Sequence, residues 1–349
     1  MDIQLSTPEL MGAIAALIIT FTILLNADRI GRLLGVIDHP DNVRKVHVQA
    51  TPLVGGIAMI VPLILWSLAG FLVPSITENG YVPLAGVLCG AAVALLGFLD
   101  DRHSLSPLLR LLVLLALTAL ALKIDPQLLP SAFNWNTTTS THVTSLFSYM
   151  LVAIGMAGFV NAVNMADGQD GCVAGMFAIW SSCMILASGG VTAGLAGMIL
   201  ATSILVLAFN LRGKVFLGGT GTYGVTFVLG LLILRLHNHW GVLAETIIVW
   251  LFIPIADCLR LMIVRPLQGH SPFKGDRNHF HHRLQRRFGE HAGLAIYLGT
   301  VAVASFAATL AQKTAPVVLL LQAGLYVCLI LMTGEAATRP TPAKIAPRE

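Results

Sequence analysis

The chain has 349 residues, of which 56% are hydrophobic and only 11% charged, and its mean hydropathy is +0.81. That balance excludes an ordinary water-soluble globular domain and places the chain in a lipid bilayer. Its formal charge of +4 reflects membrane topology rather than a nucleic-acid partner, and none is expected.

Taken in chain order, near-continuous apolar stretches predict eleven spanning helices, at residues 8–26, 53–75, 82–99, 106–124, 144–162, 172–188, 190–209, 216–236, 243–262, 293–311 and 316–334. Each is long enough for a hydrocarbon core of about 30 Å. The sixth and seventh are parted only by Gly189 and its neighbours, and that pair also fits a re-entrant loop. The expected architecture is an all-α polytopic membrane protein, one integral-membrane domain over residues 1–334 with a flexible cytoplasmic tail at 335–349. Lysine and arginine set the orientation, because cytoplasmic loops carry them in excess. Eighteen of the 21 fall on one side of this arrangement and only Lys123, Arg235 and Lys313 on the other. The N-terminus is therefore expected outside and the C-terminus in the cytoplasm. The first ten residues lack a basic n-region, so the first apolar run reads as a retained helix rather than a cleaved signal. The five cysteines show no metal-binding spacing and read as small apolar fillers. Residues 136–141 (NTTTST) and 340–349 read as unstructured polar segments.

Five loops on the basic side carry the unusual residues. The first, DHPDNVRKVHVQATPLVGG at 38–56, joins Arg44, Lys45 and His47 to the pair Gly55-Gly56. An ordinary positive-inside loop accounts for the two cations but not for His47 or the glycines. The second begins with Asp100-Asp101 directly after an apolar run. Desolvating two adjacent carboxylates is costly unless cations attend them, and hard oxygen donors suit magnesium. Two solvated acids at a helix end are the plainer reading, although acids are disfavoured there. The third, NAVNMADGQDG at 161–171, sets Asn161 and Asn164 on one helical face with Asp167-Gly and Asp170-Gly at the exit. Amides that donate and accept, beside acids that only accept, fit a uracil, a ribose or a sugar. A calcium turn lacks the oxygen-rich loop it requires.

The fourth loop, NLRGKVFLGGTGTYG at 210–224, offers glycine-rich backbone to phosphate at a helix start, or else simply close helix packing. The fifth carries Asp257, Arg260 and Arg265, then Asp276, Arg277, His279, His281 and His282 in GDRNHFHHRL. So much cation and imidazole suits a sugar pyrophosphate. A zinc half-site lacks its complement of ligands, and lipid-headgroup binding explains the arginines only.

In this order, over residues 38–289, the five loops resemble the polyprenyl-phosphate N-acetylhexosamine-1-phosphate transferase family, and are closest to its undecaprenyl-phosphate N-acetylglucosaminyl 1-phosphate transferase branch. The strings RKVH…TPLVGG, GFLDD, NAVNMADGQDG, KVFLGG and RNHFHHRL carry that likeness. The resemblance implies an eleven-helix bacterial inner-membrane enzyme with a cytoplasmic site. It would join the sugar phosphate of a UDP-HexNAc, with GlcNAc the expected sugar, to undecaprenyl phosphate and release UMP, opening surface polysaccharide synthesis. The implied cofactor is magnesium, with manganese an alternative ion. By the same resemblance Asp100 and Asp101 engage metal or lipid phosphate and Lys45 and Asp167 the nucleotide. Asp170 serves the reacting centre as a further metal ligand, His279, His281 and His282 meet pyrophosphate or sugar, and Phe216 stacks on uracil. Oligomeric state stays open, a homodimer included.

One position departs from the family pattern. Where the family has Phe-x-Gly-Asp followed by Gly-Ser, this chain has Phe216-Leu217-Gly218-Gly219 before Thr220-Gly221-Thr222, so Gly219 stands for the expected metal-binding aspartate. Three readings follow: a metal site rebuilt from Asp100, Asp101 or Asp170, a slowed enzyme, or an inactive relative that binds nucleotide-sugar or polyprenyl phosphate. A secondary transporter would instead place its ionisable residues near the bilayer midplane.

Overall fold

The computed structural model describes residues 7–40, 50–72, 84–135, 139–271 and 276–334. Within them the chain forms α1 (Thr7–Leu25), α2 (Ala27–Leu34), β1 (Ile37–Asp38), β2 (Thr51–Pro52), α3 (Gly55–Leu72), α4 (Leu84–His103) and α5 (Pro107–Ile124). There follow β3 (Ala132–Trp135), β4 (Thr139–His142), α6 (Ser145–Ala166), α7 (Cys172–Ala187), α8 (Gly190–Asn210) and α9 (Gly218–Trp240). The chain continues through α10 (Ala244–Leu267), α11 (Phe280–Phe288), α12 (Glu290–Leu310) and α13 (Ala315–Gly334). Local signals set several of these starts. Ser106 caps α5 by accepting from Leu109 N at 3.3 Å, with Pro107 in the first turn, and Thr144 caps α6 by accepting from Phe147 N at 3.4 Å.

Each of the eleven predicted spans falls on a helix. Among the described residues eight helices are long and apolar enough to cross a bilayer on those grounds alone: α3, α5, α6, α8, α9, α10, α12 and α13. A ninth follows if α1 and α2, bent by 72° at Asn26, are taken as one broken span. α4 carries Asp100, Asp101 and Arg102 in its last turns, and α7 has only 16 residues. α7 and α8 pack against each other along their length.

Three features depart from the expected architecture. The segment expected to be unstructured contributes Thr139–His142 to a hairpin with Ala132–Trp135, registered Phe133 to Thr141 and Asn134 to Ser140. β-branched threonines suit a pleated strand, and the preceding Phe-Asn-Trp run supplies its partner. The bend into α2 and the short polar helix α11 also went unpredicted, since each is too short and too charged to stand out as an apolar run. The expected tail at 335–349 lies outside the described residues.

α9 is the central post, packed chiefly on α4 and also on α3, α6, α7 and α8. Almost all of its residues from Gly218 to Ile233 are buried. A helix enclosed on all sides needs small residues where neighbours cross it. Here Gly221 meets Gly56 of α3, Gly219 meets Gly97 of α4, and Gly224 meets Ala94 of α4.

Candidate active site

The first turn of α9 organises one end of the bundle. Gly218 enters it with φ of +68°, a conformation open to glycine, and the preceding residues run beside the entry to α3. There Gly55 N donates to Phe216 O and Gly56 N to Leu217 O, both at 2.9 Å. The unpaired N–H groups of a helix start favour anions. Asp101, at the end of α4, answers by accepting from Gly219 N through Oδ2 at 2.7 Å.

The crossing of α4 and α9 is backbone against backbone. A Cβ on Gly97 would strike the Gly219 carbonyl, and one on Gly219 would lie 2.5 Å from Gly97 O and 3.1 Å from Asp101 Oδ1. Position 219 thus has no room for an aspartate unless the helices part. The carboxylate beside its backbone belongs to Asp101.

The adjacent acids of α4 serve different partners. Asp100 Oδ1 accepts from Leu105 N at 2.9 Å and its Oδ2 accepts from Arg110 at 2.7 Å, while Arg110 also donates to Tyr223 Oη at 3.1 Å. Asp100 is therefore held in an ion pair to α5, while Asp101 turns to α9. The role of Arg110 was not legible from the sequence, where it read only as a topology charge.

Asp167 follows Ala166, the last residue of α6, and stands exposed at the start of the DGQDG turn. Its pKa is raised to about 7 by desolvation, then by the negative charges of Asp170 and Asp101. Acids from two separate stretches of sequence, the end of α4 and the DGQDG turn, thus act on one another. Asp170 accepts from Asn210 Nδ2 at 3.3 Å, and Asn210 also accepts from Gly171 N at 2.6 Å, fixing the DGQDG turn to the end of α8. Asn164 donates to Thr222 Oγ1 of α9 at 3.0 Å. Asn161, three residues earlier on that face, instead turns back to Ala157 O of its own helix at 2.8 Å.

α11 closes the same end. A Cβ on Gly168 would lie 2.5 Å from His281 Nε2 and 3.0 Å from His282 Nε2, so the imidazoles press directly on the acidic turn. His279 stacks on His281, with centroids 5.5 Å apart and planes 10° apart, and His281 lies 4.2 Å from His282. Burial, then the neighbouring Arg277 and His279, lowers the His282 pKa to about 4. Burial, then His282 and His279, likewise pushes His281 well down. Both rings are therefore neutral near pH 7, offering hydrogen bonds rather than charge. Both ring nitrogens of His281, Nδ1 of His282, Gln169 Oε1 and Thr220 Oγ1 are buried with no hydrogen-bond partner among the described residues. Buried polar groups are nearly always paired, and the unpaired nitrogens of His281 and His282 beside Gly168 are free to bond a ligand. Gly168→Ala is expected to lower turnover about tenfold, the scale on which a misplaced supporting group acts, because the methyl displaces the imidazoles from the acidic turn. Unchanged turnover would separate Gly168 from the site.

Among the described residues no three His, Cys, Asp or Glu side chains are grouped closely enough to hold a metal alone. That arrangement still suits magnesium, which takes one or two carboxylates and leaves its other positions to phosphate and water. Asp170 and Asp101 both raise the pKa of Asp167, and a divalent ion bound among these acids would offset that crowding.

Of the other sequence-predicted residues, Phe216 is half-buried beside the α3 entry and Arg277 is half-buried before α11. Arg44, Lys45 and His47 lie outside the described residues. Asp257 was named in the sequence without a role, although a carboxylate inside an apolar helix was itself a signal. It joins α10 to α11, accepting from His279 Nδ1 at 2.9 Å and from Arg260 at 2.7 Å.

Comparison with known proteins meets this geometry. Residues 83–237 carry the signature of the family described as Glycosyl transferase family 4. The chain is 30% identical over 281 residues, covering 77% of its own length and 76% of the relative's, to a Bacillus subtilis (strain 168) protein named "Probable undecaprenyl-phosphate N-acetylglucosaminyl 1-phosphate transferase". It is 28% identical over 312 residues, 84% of this chain and 81% of the other, to the Escherichia coli (strain K12) undecaprenyl-phosphate alpha-N-acetylglucosaminyl 1-phosphate transferase. A Yersinia pestis protein of the same name is 29% identical over 302 residues, 81% of this chain and 78% of the other. Relatives of that kind make this helical membrane bundle a sugar-phosphate transferase. The chain belongs to the polyprenyl-phosphate N-acetylhexosamine-1-phosphate transferase family, on the undecaprenyl-phosphate N-acetylglucosaminyl side of it.

Proposed function

We propose that the protein transfers N-acetylglucosamine 1-phosphate from UDP-N-acetylglucosamine to undecaprenyl phosphate at the cytoplasmic face of a bacterial inner membrane. The observation that carries the reading is the meeting of Asp101, Asp167 and Asp170 with the start of α9 and the α11 histidines at one end of the bundle. In the reaction a lipid phosphate oxygen bonds to the β-phosphorus of the nucleotide sugar. The bond from that phosphorus to the bridging oxygen breaks, and UMP leaves with the electron pair. The product is a lipid-linked sugar pyrophosphate, a starting unit for surface polysaccharide such as O-antigen.

Both reactants are anions, so catalysis rests on positioning and charge screening. Asp101 and Asp170 would hold magnesium, which when bound supplies charge neutralisation and polarises phosphoryl oxygens. The start of α9, its Gly219 amide already taken by Asp101, adds the positive end of the helix dipole to the site. The neutral rings of His281 and His282 hydrogen-bond the pyrophosphate or sugar, and Asn164 and Asp167 line the nucleotide side. Eleven spans, with the N-terminus outside and the C-terminus inside, put eighteen of the 21 lysines and arginines on the cytoplasmic side.

The test is UMP release by purified protein with undecaprenyl phosphate and a panel of UDP-sugars, with and without magnesium. Release is expected with UDP-N-acetylglucosamine and magnesium, falling about 100-fold in Asp170→Asn, the scale on which one electrostatic group at a reacting centre acts. No release with any UDP-sugar would overturn the reading.

A further inference from the structure

Asp257 sits in α10, 5% exposed, with both carboxylate oxygens engaged. Oδ1 accepts from Arg260 Nη2 at 2.7 Å and from Tyr326 Oη of α13 at 3.3 Å. Oδ2 accepts from His279 Nδ1 at 2.9 Å and from Phe280 N, in the first turn of α11, at 3.1 Å. One side chain thus fastens α10, α11 and α13 at the point where the histidine arm begins. An ionised carboxylate only accepts, so the His279 proton resides on Nδ1. Nε2 is then an acceptor, and Arg265 Nη2 faces it at 3.3 Å. The ring so fixed stacks on His281, which touches His282, and both rings bear on Gly168 of the acidic turn.

We propose that Asp257 is a positioning residue for the transfer reaction: it sets the tautomer and ring plane of His279 and thereby the placement of His281 and His282 against the acidic turn. The proposal rests on the function given above. Asp257 acts through His279, as carboxylates that orient a functional imidazole do elsewhere. A mere staple between helices would give a different pattern of effects, since removing one partner of a buried pair costs stability without regard to the ring beyond it.

The experiment uses full-length protein in nanodiscs, comparing wild type, Asp257→Asn, Asp257→Glu, His279→Asn and the double variant Asp257→Asn/His279→Asn. Kinetics come from UMP release and the His279 tautomer from ¹⁵N NMR of histidine-labelled protein. Asp257→Asn is expected to lower kcat about 10- to 100-fold while changing KM for UDP-N-acetylglucosamine less than threefold. The His279 signal leaves the Nδ1-protonated position, and Asp257→Glu recovers part of kcat. The double variant is no slower than His279→Asn alone, because the two changes remove one function. Wild-type kcat in Asp257→Asn, or a double variant slowed by the product of the two single effects, would overturn the proposal. Where Asp257→Asn does not fold, the wild-type spectrum decides alone, and a His279 ring protonated on Nε2 overturns it. Should wild type release no UMP from any UDP-sugar, the function falls, while the tautomer still tests the positioning.

Discussion

Gly219→Asp is expected to lower activity at least tenfold rather than raise it, although it restores the residue that relatives of this kind are expected to carry there. A Cβ at 219 lies 2.5 Å from the Gly97 carbonyl oxygen, which is backbone and cannot swing aside. Overpacking of that sort costs about 1–3 kcal/mol where it can be absorbed, and here it forces α4 from the central helix. The added carboxylate would also stand beside Asp101, which already accepts from Gly219 N. Like charges so close repel, and the amide cannot serve both. The measurement is UMP release at matched protein amounts. Gly219→Ala separates the two causes: it keeps the steric conflict and omits the charge, so it should fall between wild type and Gly219→Asp. A Gly219→Asp enzyme faster than wild type would show that the space around 219 opens.

Asp167→Asn is expected to cost about 100-fold in turnover and, in the same protein without divalent ions, to flatten the pH dependence of melting. The wild-type carboxyl holds its proton up to about pH 7 in the fold, against an unfolded value of about 3.9. Between those limits the folded state binds more protons than the unfolded one. This group's contribution to stability is therefore fully present below about pH 4 and lost as pH rises through 7. Magnesium that binds the folded cluster reverses the loss, so the rise in melting temperature on adding it should be larger at pH 8 than at pH 5. The asparagine variant keeps a flat profile and a smaller magnesium response. A wild-type melting temperature that climbs from pH 5 to pH 8 without divalent ions would contradict the charge crowding.

The parts of the fold legible in the sequence were those written in long apolar runs, because one helix turn of Leu, Val or Ala reads the same wherever it packs. All eleven segments found their helices. What escaped depended on contacts distant along the chain. Nothing near Gly219 shows that Gly97, 122 residues earlier, fills its neighbourhood with a carbonyl. Asp100 and Asp101 look equivalent in the string, yet Arg110 claims one and the α9 amide the other. Asn161 and Asn164 share a helical face, but only Asn164 has Thr222 opposite it. Asp257 was visible as an acid inside an apolar helix, while its partners in α11 and α13 lay beyond any local pattern. Of the candidate site, the contact between the acidic turn and the histidine cluster at Gly168 could not be read from either string alone.

The two sides of this site are joined by different means, and that difference governs which can yield. On one side the first turn of α9 is seated against Gly56 and Gly97 main chain to main chain, an anvil with no rotamers to change. On the other, α11 rests on α12, where Gly293 meets the Leu284–Gln285 backbone, and its leading end is tied to α10 and α13 by side-chain links at Asp257, Arg260 and Tyr326. A bulkier sugar or an inhibitor held between the two sides would shift the side-chain links at the leading end of α11 before it shifted the anvil. Resistance or altered sugar preference should accordingly arise from changes around α11 far more readily than from changes at the glycine seam.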